Sequence, residues 1–262
     1  MGQVPAATKT LRVLRFLASQ PEPVPLDRIS RACGLPRSTA YHLLTAMIEE
    51  GFVVHLADEH RYGLGVAAFE VGSGFSRQVP LQRISRRALT DLVDRTGQNS
   101  HLAVLHGRDV LYVVEERASG RPPLVTDVGV RLPAHLTASG RAILSALPAA
   151  QVRALYPDAG AFVDRHGTGP RTLSALRSLL TDTRRRGYAT EEGEVTPGLA
   201  SVAAPVLDHN GHPVAGLAIT YADPDPDEPA RLAEAVRRAA AALTTRLGGP
   251  SDVRAPVTRG SA

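Results

Sequence analysis

Two groups of residues carry chemistry by type and spacing. The first is Arg37-Ser38-Thr39-Ala40-Tyr41-His42, which puts a guanidinium, two hydroxyls, a phenol and an imidazole within six positions. Such donors suit phosphate oxygens and base edges of a nucleic acid. Arg61 is a candidate for an adjacent backbone or minor groove, and Lys9, Arg28 and Arg31 are further phosphate candidates. The second group is Thr137-Ala138-Ser139-Gly140. If it opens a helix, its free N–H groups and dipole can hold an anion. Gly129 and Val130, in a preceding turn, can add backbone N–H groups. Each residue also has a plainer reading. Ser38, Thr39, Thr137 and Ser139 suit ordinary helix caps, and Arg37 suits a solvated surface.

The elements that must position the first group are legible as periodicity. Leu11, Leu14 and Leu17 share one helical face, and Pro21, Pro23 and Pro25 break the chain. Ile29, Ala32 and Cys33 lie together on a second short helix, which Gly34 ends. Ala40, Leu43, Leu44, Met47 and Ile48 form the apolar stripe of a third helix, stopped by Gly51. Phe52–His55 and Arg61–Leu64 around a polar turn read as a β-hairpin. Three helices and a hairpin over residues 8–64 make a winged helix-turn-helix, with the polar side of the third helix free to enter a major groove. Residues 1–79 hold 8 basic and 7 acidic side chains, so binding rests on local placement and few phosphate contacts.

Residues 65–79 read as a linking helix that pairs two such units through Ala67, Val71 and Phe75. A second domain spans 80–247. Its helices are expected near 81–97, 138–147, 149–156, 173–186 and 227–247. Its strands are expected near 101–105, 110–115, 122–128, 188–191, 201–207 and 214–221, in a mostly antiparallel sheet with helices at both ends. Residues 248–262 read as a disordered tail. The fold class is α+β.

The chain has 262 residues, 43% hydrophobic and 21% charged, with net charge +4, and it contains 29 Arg but one Lys. No apolar run reaches the ~18 residues of a membrane helix, no secretory signal opens the chain, and a lone cysteine excludes an internal disulfide, so the cytoplasm is expected. Enzyme signatures are weak. Ser139 is not in a nucleophile elbow, Cys33 lies on an apolar face, Gly72-Ser73-Gly74 is no phosphate loop, and Asp208, His209 and His212 crowd one turn. No metal or cofactor is expected.

Residues 29–44, ISRACGLPRSTAYHLL, resemble the winged helix-turn-helix of the IclR family of bacterial transcription regulators. The resemblance continues through Leu132–Ser145, Arg186–Glu194 and Gly198–Asp208, and covers about residues 8–247. His42 stands where Arg is common in the family, which favours a single hydrogen bond to a base over a bidentate contact. The resemblance implies a GAF-like α/β second domain that binds a small-molecule effector. It places pocket positions on Gly129, Val130, Glu191, Ser201, Ala218 and Thr220; for Glu191 a surface acid is the plainer reading. With Ser201 and Ala218 at two of them, the pocket wall is less polar at one point, which speaks against a small keto acid and leaves a larger or more apolar effector open. The resemblance further implies a homodimer or dimer of dimers on a pseudo-palindromic double-stranded operator. Two other readings stay open: a DNA-binding protein whose second domain only oligomerises, and a small-molecule enzyme with an accessory helical unit.

Overall fold

The computed structural model describes residues 4–78, 80–121, 126–222 and 228–250. The chain divides into two units, Met1–Pro80 and Leu81–Ala262.

In the first unit, α1 (Pro5–Ala18) opens with proline in its first turn, where a missing N–H is harmless, and buries Val13 and Leu17. Strand β1 is Val24–Pro25. Helix α2 (Leu26–Cys33) ends at Gly34 in the left-handed region, with Leu35 N–H bonded back to the Ser30 carbonyl at 2.9 Å. Helix α3 (Arg37–Glu49) buries Ala40, Leu44 and Met47. These side chains close a core with Ile29, Cys33, Val53 and Tyr62. Burial raises the Cys33 thiol, as suits a small core residue. Strands β2 (Val53–Leu56) and β3 (Arg61–Leu64) form the hairpin, and β1 pairs with β3 to give the order β1-β3-β2. The proline-rich stretch thus supplies an edge strand rather than a simple break, because an edge tolerates proline's lost donor. Helix α4 follows over Val66–Gln78.

In the second unit, α5 (Pro80–Thr96) leads into β4 (Asn99–His106) and β5 (Asp109–Glu116). After β6 (Arg131–Pro133) come α6 (Ala138–Ala146), α7 (Ala149–Leu155) and α8 (Leu173–Arg186). Strands β7 (Ala189–Glu192), β8 (Leu199–Leu207) and β9 (Pro213–Ala222) precede α9 (Glu228–Arg246). The sheet order is β6-β5-β4-β9-β8-β7, and every neighbouring pair is antiparallel.

The helices cover the two faces of this sheet, not its ends as the sequence suggested. Leu102, Val202, Leu217 and Ile219 pack with Leu89 and Leu92 of α5 and with Leu232, Val236 and Leu243 of α9. On the opposite face, Ala189, Ala203 and Ala218 meet Ala138 and Ala142 of α6, while Val110 and Tyr112 meet Ile143 and Leu144 of α6 and Leu176 and Leu180 of α8. Strands such as PVAGLAITYA are apolar on both sides because both sides are covered. The strand expected at 122–128 is not seen as such: residues 122–125 lie outside the described residues, 126–130 form a loop, and the edge strand is β6. Residues 251–262, most of the expected tail, also lie outside them.

Candidate functional site

Helix α3 starts directly after Pro36, and no side chain caps it. Ser38 and Thr39 sit inside the first turn, so the capping reading fails for both. Arg37 is the first helical residue, exposed and ion-paired with Asp27 of α2. Ser38, Tyr41 and His42 are exposed, and Thr39 is half-buried. Arg37, Ser38, Tyr41 and His42 line a groove with His55, His60 and Tyr62 of the hairpin. His55 stacks on Tyr62 with centroids 4.5 Å apart, and His60 turns the hairpin at φ 51°, a left-handed conformation unusual for a side chain with a Cβ. Arg61 is less free than its place in the hairpin suggests. It donates to the Pro23 carbonyl at 3.2 Å and lies 4.0 Å from both Glu22 and Glu59. Arg28 is exposed on α2, and Lys9 is half-buried on α1.

On α4, Val66, Phe69 and Val71 are exposed. Ala67 is instead half-buried, its N–H bonded to the Gly51 carbonyl at 3.1 Å. The side chain of Phe75 lies outside the described residues.

The second unit holds a narrow void of about 20 Å³, lined by His101, Tyr112, Thr126, Thr137, Ala138, Glu191, Val195, Thr196, Leu199, Ser201 and Thr220. That is room for a water molecule or so. Strand register explains the assembly. Glu191 faces Ser201 across β7–β8, and Ser201 faces Thr220 across β8–β9, which puts three polar groups in one row. The Ser201 and Thr220 hydroxyls lie 2.9 Å apart. The next row is Ala189, Ala203, Ala218 and His101, and its small side chains let α6 approach the sheet. Glycine completes that approach, since a Cβ on Gly216 would lie 2.4 Å from the Ser139 carbonyl; a Cβ on Gly140 would likewise lie 2.2 Å from the carbonyl of Ala134, in the turn that leads into α6.

Of the effector positions read from the sequence, Thr137, Glu191, Ser201 and Thr220 line the void, and the other four do not. Thr137 both lines it and caps α6, accepting from Gly140 N–H at 3.0 Å. Ser139 is buried against β9 through its backbone, and its hydroxyl has no partner among the described residues. The N–H groups of Gly129 and Val130 are taken by the Tyr112 and Asp127 carbonyls, at 2.8 and 3.0 Å. Ala218 serves as packing under α6. Sequence reasoning missed His101, Tyr112 and the segment carrying Val195, Thr196 and Leu199. Period-two alternation does put His101 and Ala103 on one face of β4, but only the register reveals Ala103 opposite Tyr112, just beyond a bulge.

Burial sets the electrostatics. It pushes the Glu191 carboxyl up to about 7. Glu194 adds to the rise, while the Val195 N–H, a bond from Ser201 and Arg141 oppose it. It lowers the His101 imidazole to about 4 and raises the Tyr112 phenol, the latter with help from Glu191. The Glu191 Oε1 accepts from Val195 N–H at 3.0 Å. Arg141 is buried beneath the same segment, and donates to the His135 and Thr190 carbonyls and to Glu194, at 2.8, 2.7 and 2.7 Å.

No described group of three or more His, Cys, Asp or Glu side chains is placed to hold a metal ion. Asp208 spends its Oδ1 on the Asn210 and His212 N–H groups of its own turn. Among the described residues no helix is long and apolar enough to cross a membrane.

The IclR helix-turn-helix domain matches residues 6–57, and the bacterial transcriptional regulator IclR C-terminal domain matches residues 75–245. The chain is 31% identical over 252 residues to the acetate operon repressor of Salmonella typhimurium, covering 95% of this chain and 92% of that protein. A crystal structure of an ICLR transcriptional regulator from Silicibacter sp. superposes with a TM-score of 0.82 at 25% identity, covering 96% of this chain and 100% of that one. An IclR homolog from Microbacterium hydrocarbonoxydans, crystallised with 4-hydroxybenzoate, shares the fold with a TM-score of 0.78 at 24% identity, covering 92% and 98%. The chain therefore belongs to the IclR family: it is a DNA-binding transcriptional regulator, and not an enzyme.

Proposed function

We propose that Arg37, Ser38, Thr39, Tyr41 and His42 meet DNA from the first turns of α3, with Lys9, Arg28 and Arg61 as flanking contacts. Two copies, joined through the exposed apolar side chains of α4 with Val71 among them, read a pseudo-palindromic operator in the cytoplasm, as a dimer or dimer of dimers. A metabolite enters the cavity beside Thr137, Glu191, Ser201 and Thr220. Gly129, Val130, Ser139 and Ala218 frame it from outside the lining. Its preference for one arrangement of the two DNA-reading units shifts operator affinity by the same free energy. The 4-hydroxybenzoate held by the Microbacterium relative supports a small organic effector.

The observation that carries this reading is one chain joining an uncapped, polar, exposed helix start to a cavity lined by polar side chains. It is tested by fluorescence anisotropy on the upstream promoter fragment. The wild-type protein is expected to prefer that fragment to scrambled duplex at moderate salt. Arg37→Ala/Thr39→Ala is expected to lose the preference. Equal binding to both duplexes, whatever compound is added, overturns the reading.

The tightness of the cavity favours a second reading, in which the C-terminal unit only assembles the protein. A thermal-shift screen separates the two, because a ligand bound to the folded chain must raise its stability by mass action.

A further inference from the structure

We propose that the cavity takes a small uncharged compound carrying two or more hydroxyl or carbonyl oxygens, not a carboxylate, phosphate or ammonium. This rests on the effector-pocket reading above and adds the charge class of the ligand.

An anion finds no cationic side chain among the lining residues described, and at the start of α6 the Gly140 N–H is already given to the Thr137 hydroxyl. Arg141, the guanidinium that influences Glu191, already gives Nε, Nη1 and Nη2 to protein oxygens. An anion would instead meet the buried carboxyl of Glu191, where low polarity magnifies repulsion. A cation fares little better. Ala138, the first residue of α6, lines the void, so the positive end of that helix faces it. The single lining carboxyl accepts the Val195 N–H on Oε1 and, raised by burial, carries less than a full charge near neutral pH, so it is a weak partner for a cation.

Uncharged oxygens match the remaining chemistry. The Ser201 and Thr220 hydroxyls face each other at 2.9 Å, and either can donate. Ser201 also bonds Glu191, so Thr220 is the hydroxyl left to turn and give or take a bond from a ligand hydroxyl. The Nδ1 of His101 is buried without a protein partner among the described residues. A neutral imidazole there offers one donor and one acceptor. Near neutral pH the Glu191 carboxyl spends part of its time protonated, so it too can donate or accept. The void of about 20 Å³ must enlarge for such a compound, and Val195, Thr196 and Leu199 are lining residues at or beyond the margin of the sheet.

The experiment uses the full chain at pH 7.5 and two sets of probes that differ in charge on one skeleton. The first set is glycerol, glycerate and 3-amino-1,2-propanediol. The second is 4-hydroxybenzyl alcohol, 4-hydroxybenzoate and 4-hydroxybenzylamine. Calorimetry is expected to show, in at least one set, the neutral member binding about tenfold or more tighter than both charged members. Thr220→Val, which keeps shape and removes the hydroxyl, is expected to weaken that neutral ligand about tenfold. Glu191→Gln, which removes the carboxylate charge, is expected to improve binding of the carboxylate relative to the neutral member. A charged member that binds as tightly as the neutral one overturns the inference. So does the absence of binding in both sets, or a neutral ligand indifferent to Thr220→Val. Should the neutral ligand bind at this site yet leave operator affinity unchanged, the charge class stands and the regulatory reading falls.

Discussion

Glu191 and His101 line one cavity, and each is almost wholly withdrawn from water, with 3% and 2% of its surface exposed. Their consequences for stability have opposite sign. The Glu191 carboxyl rises from 4.5 to about 7 on folding. Between those values the folded chain holds a proton the unfolded chain has released, so this contribution to stability falls as pH rises. By pH 8 the deficit is about 3 kcal/mol. The His101 imidazole falls from 6.5 to about 4. Across that window the unfolded chain binds the extra proton, so this contribution rises with pH. The two slopes oppose each other where the windows overlap, and neither is visible alone in the wild-type protein. Glu191→Gln keeps an acceptor for Val195 and removes one slope. It is expected to raise the melting temperature at pH 8 by about 5 °C or more and to give no advantage at pH 5. Thermal melts from pH 5 to 8 test this, and a difference that does not change with pH would mean Glu191 titrates as an ordinary surface acid.

Helix α6 packs on the alanine row beside the polar one, and two interactions fix it. One is steric. Gly216→Ala would drive a Cβ into the Ser139 carbonyl, with an expected cost of about 1–3 kcal/mol or more. Gly72→Ala on α4 is the control: a Cβ there meets nothing within 4 Å, so better helix propensity should raise stability by ~1 kcal/mol. The other interaction is the buried Arg141–Glu194 pair at 2.7 Å. Arg141→Met leaves Glu194 without its partner and is expected to cost about 3–5 kcal/mol. Denaturant melts rank the three variants, and a neutral Gly216→Ala would refute the close-approach argument. This helix also marks how far the sequence could be read. Its start at Thr137 is a cap signal, and the strands it packs on alternate or run apolar, so those elements were legible, whereas the three-residue strand β6 just before it was not. That Gly140 and Gly216 are points of close approach was not legible either, because a clash with a carbonyl outside the helix or strand leaves no periodic signal. Tyr112 and Val195 escaped for the same reason: a bulge after Leu102 and a backbone bond to Glu191 place them, and neither leaves a periodic trace. In the first unit the opposite holds. Helix spacing and the Gly34 turn are local signals, and only β1, in the proline-rich stretch, went unread as a strand.

At the scale of the molecule, charge decides how the protein competes for DNA. The net charge of +4 is spread over 262 residues, and part of it is neutralised beside the start of α3 and in the hairpin. Arg37 is paired with Asp27, and Arg61 lies between Glu22 and Glu59. These side chains are largely exposed, so the pairs add little stability and can exchange partners at low cost. An approaching phosphate must nonetheless displace a carboxylate before it gains the guanidinium. Asp27→Asn removes that competitor at Arg37. It is expected to tighten binding to operator and scrambled duplex alike, by about the same few-fold factor, because pairing with a phosphate carries no sequence information. Arg37→Ala is expected to weaken both and to flatten the dependence of affinity on salt. The slope of log K against log salt should change by about 0.9 for each phosphate that is no longer neutralised. Anisotropy titrations over a range of salt measure both quantities. If Asp27→Asn sharpens preference for the operator instead of raising all binding together, Arg37 reads a base rather than the backbone, and its pairing with Asp27 is then a device of specificity.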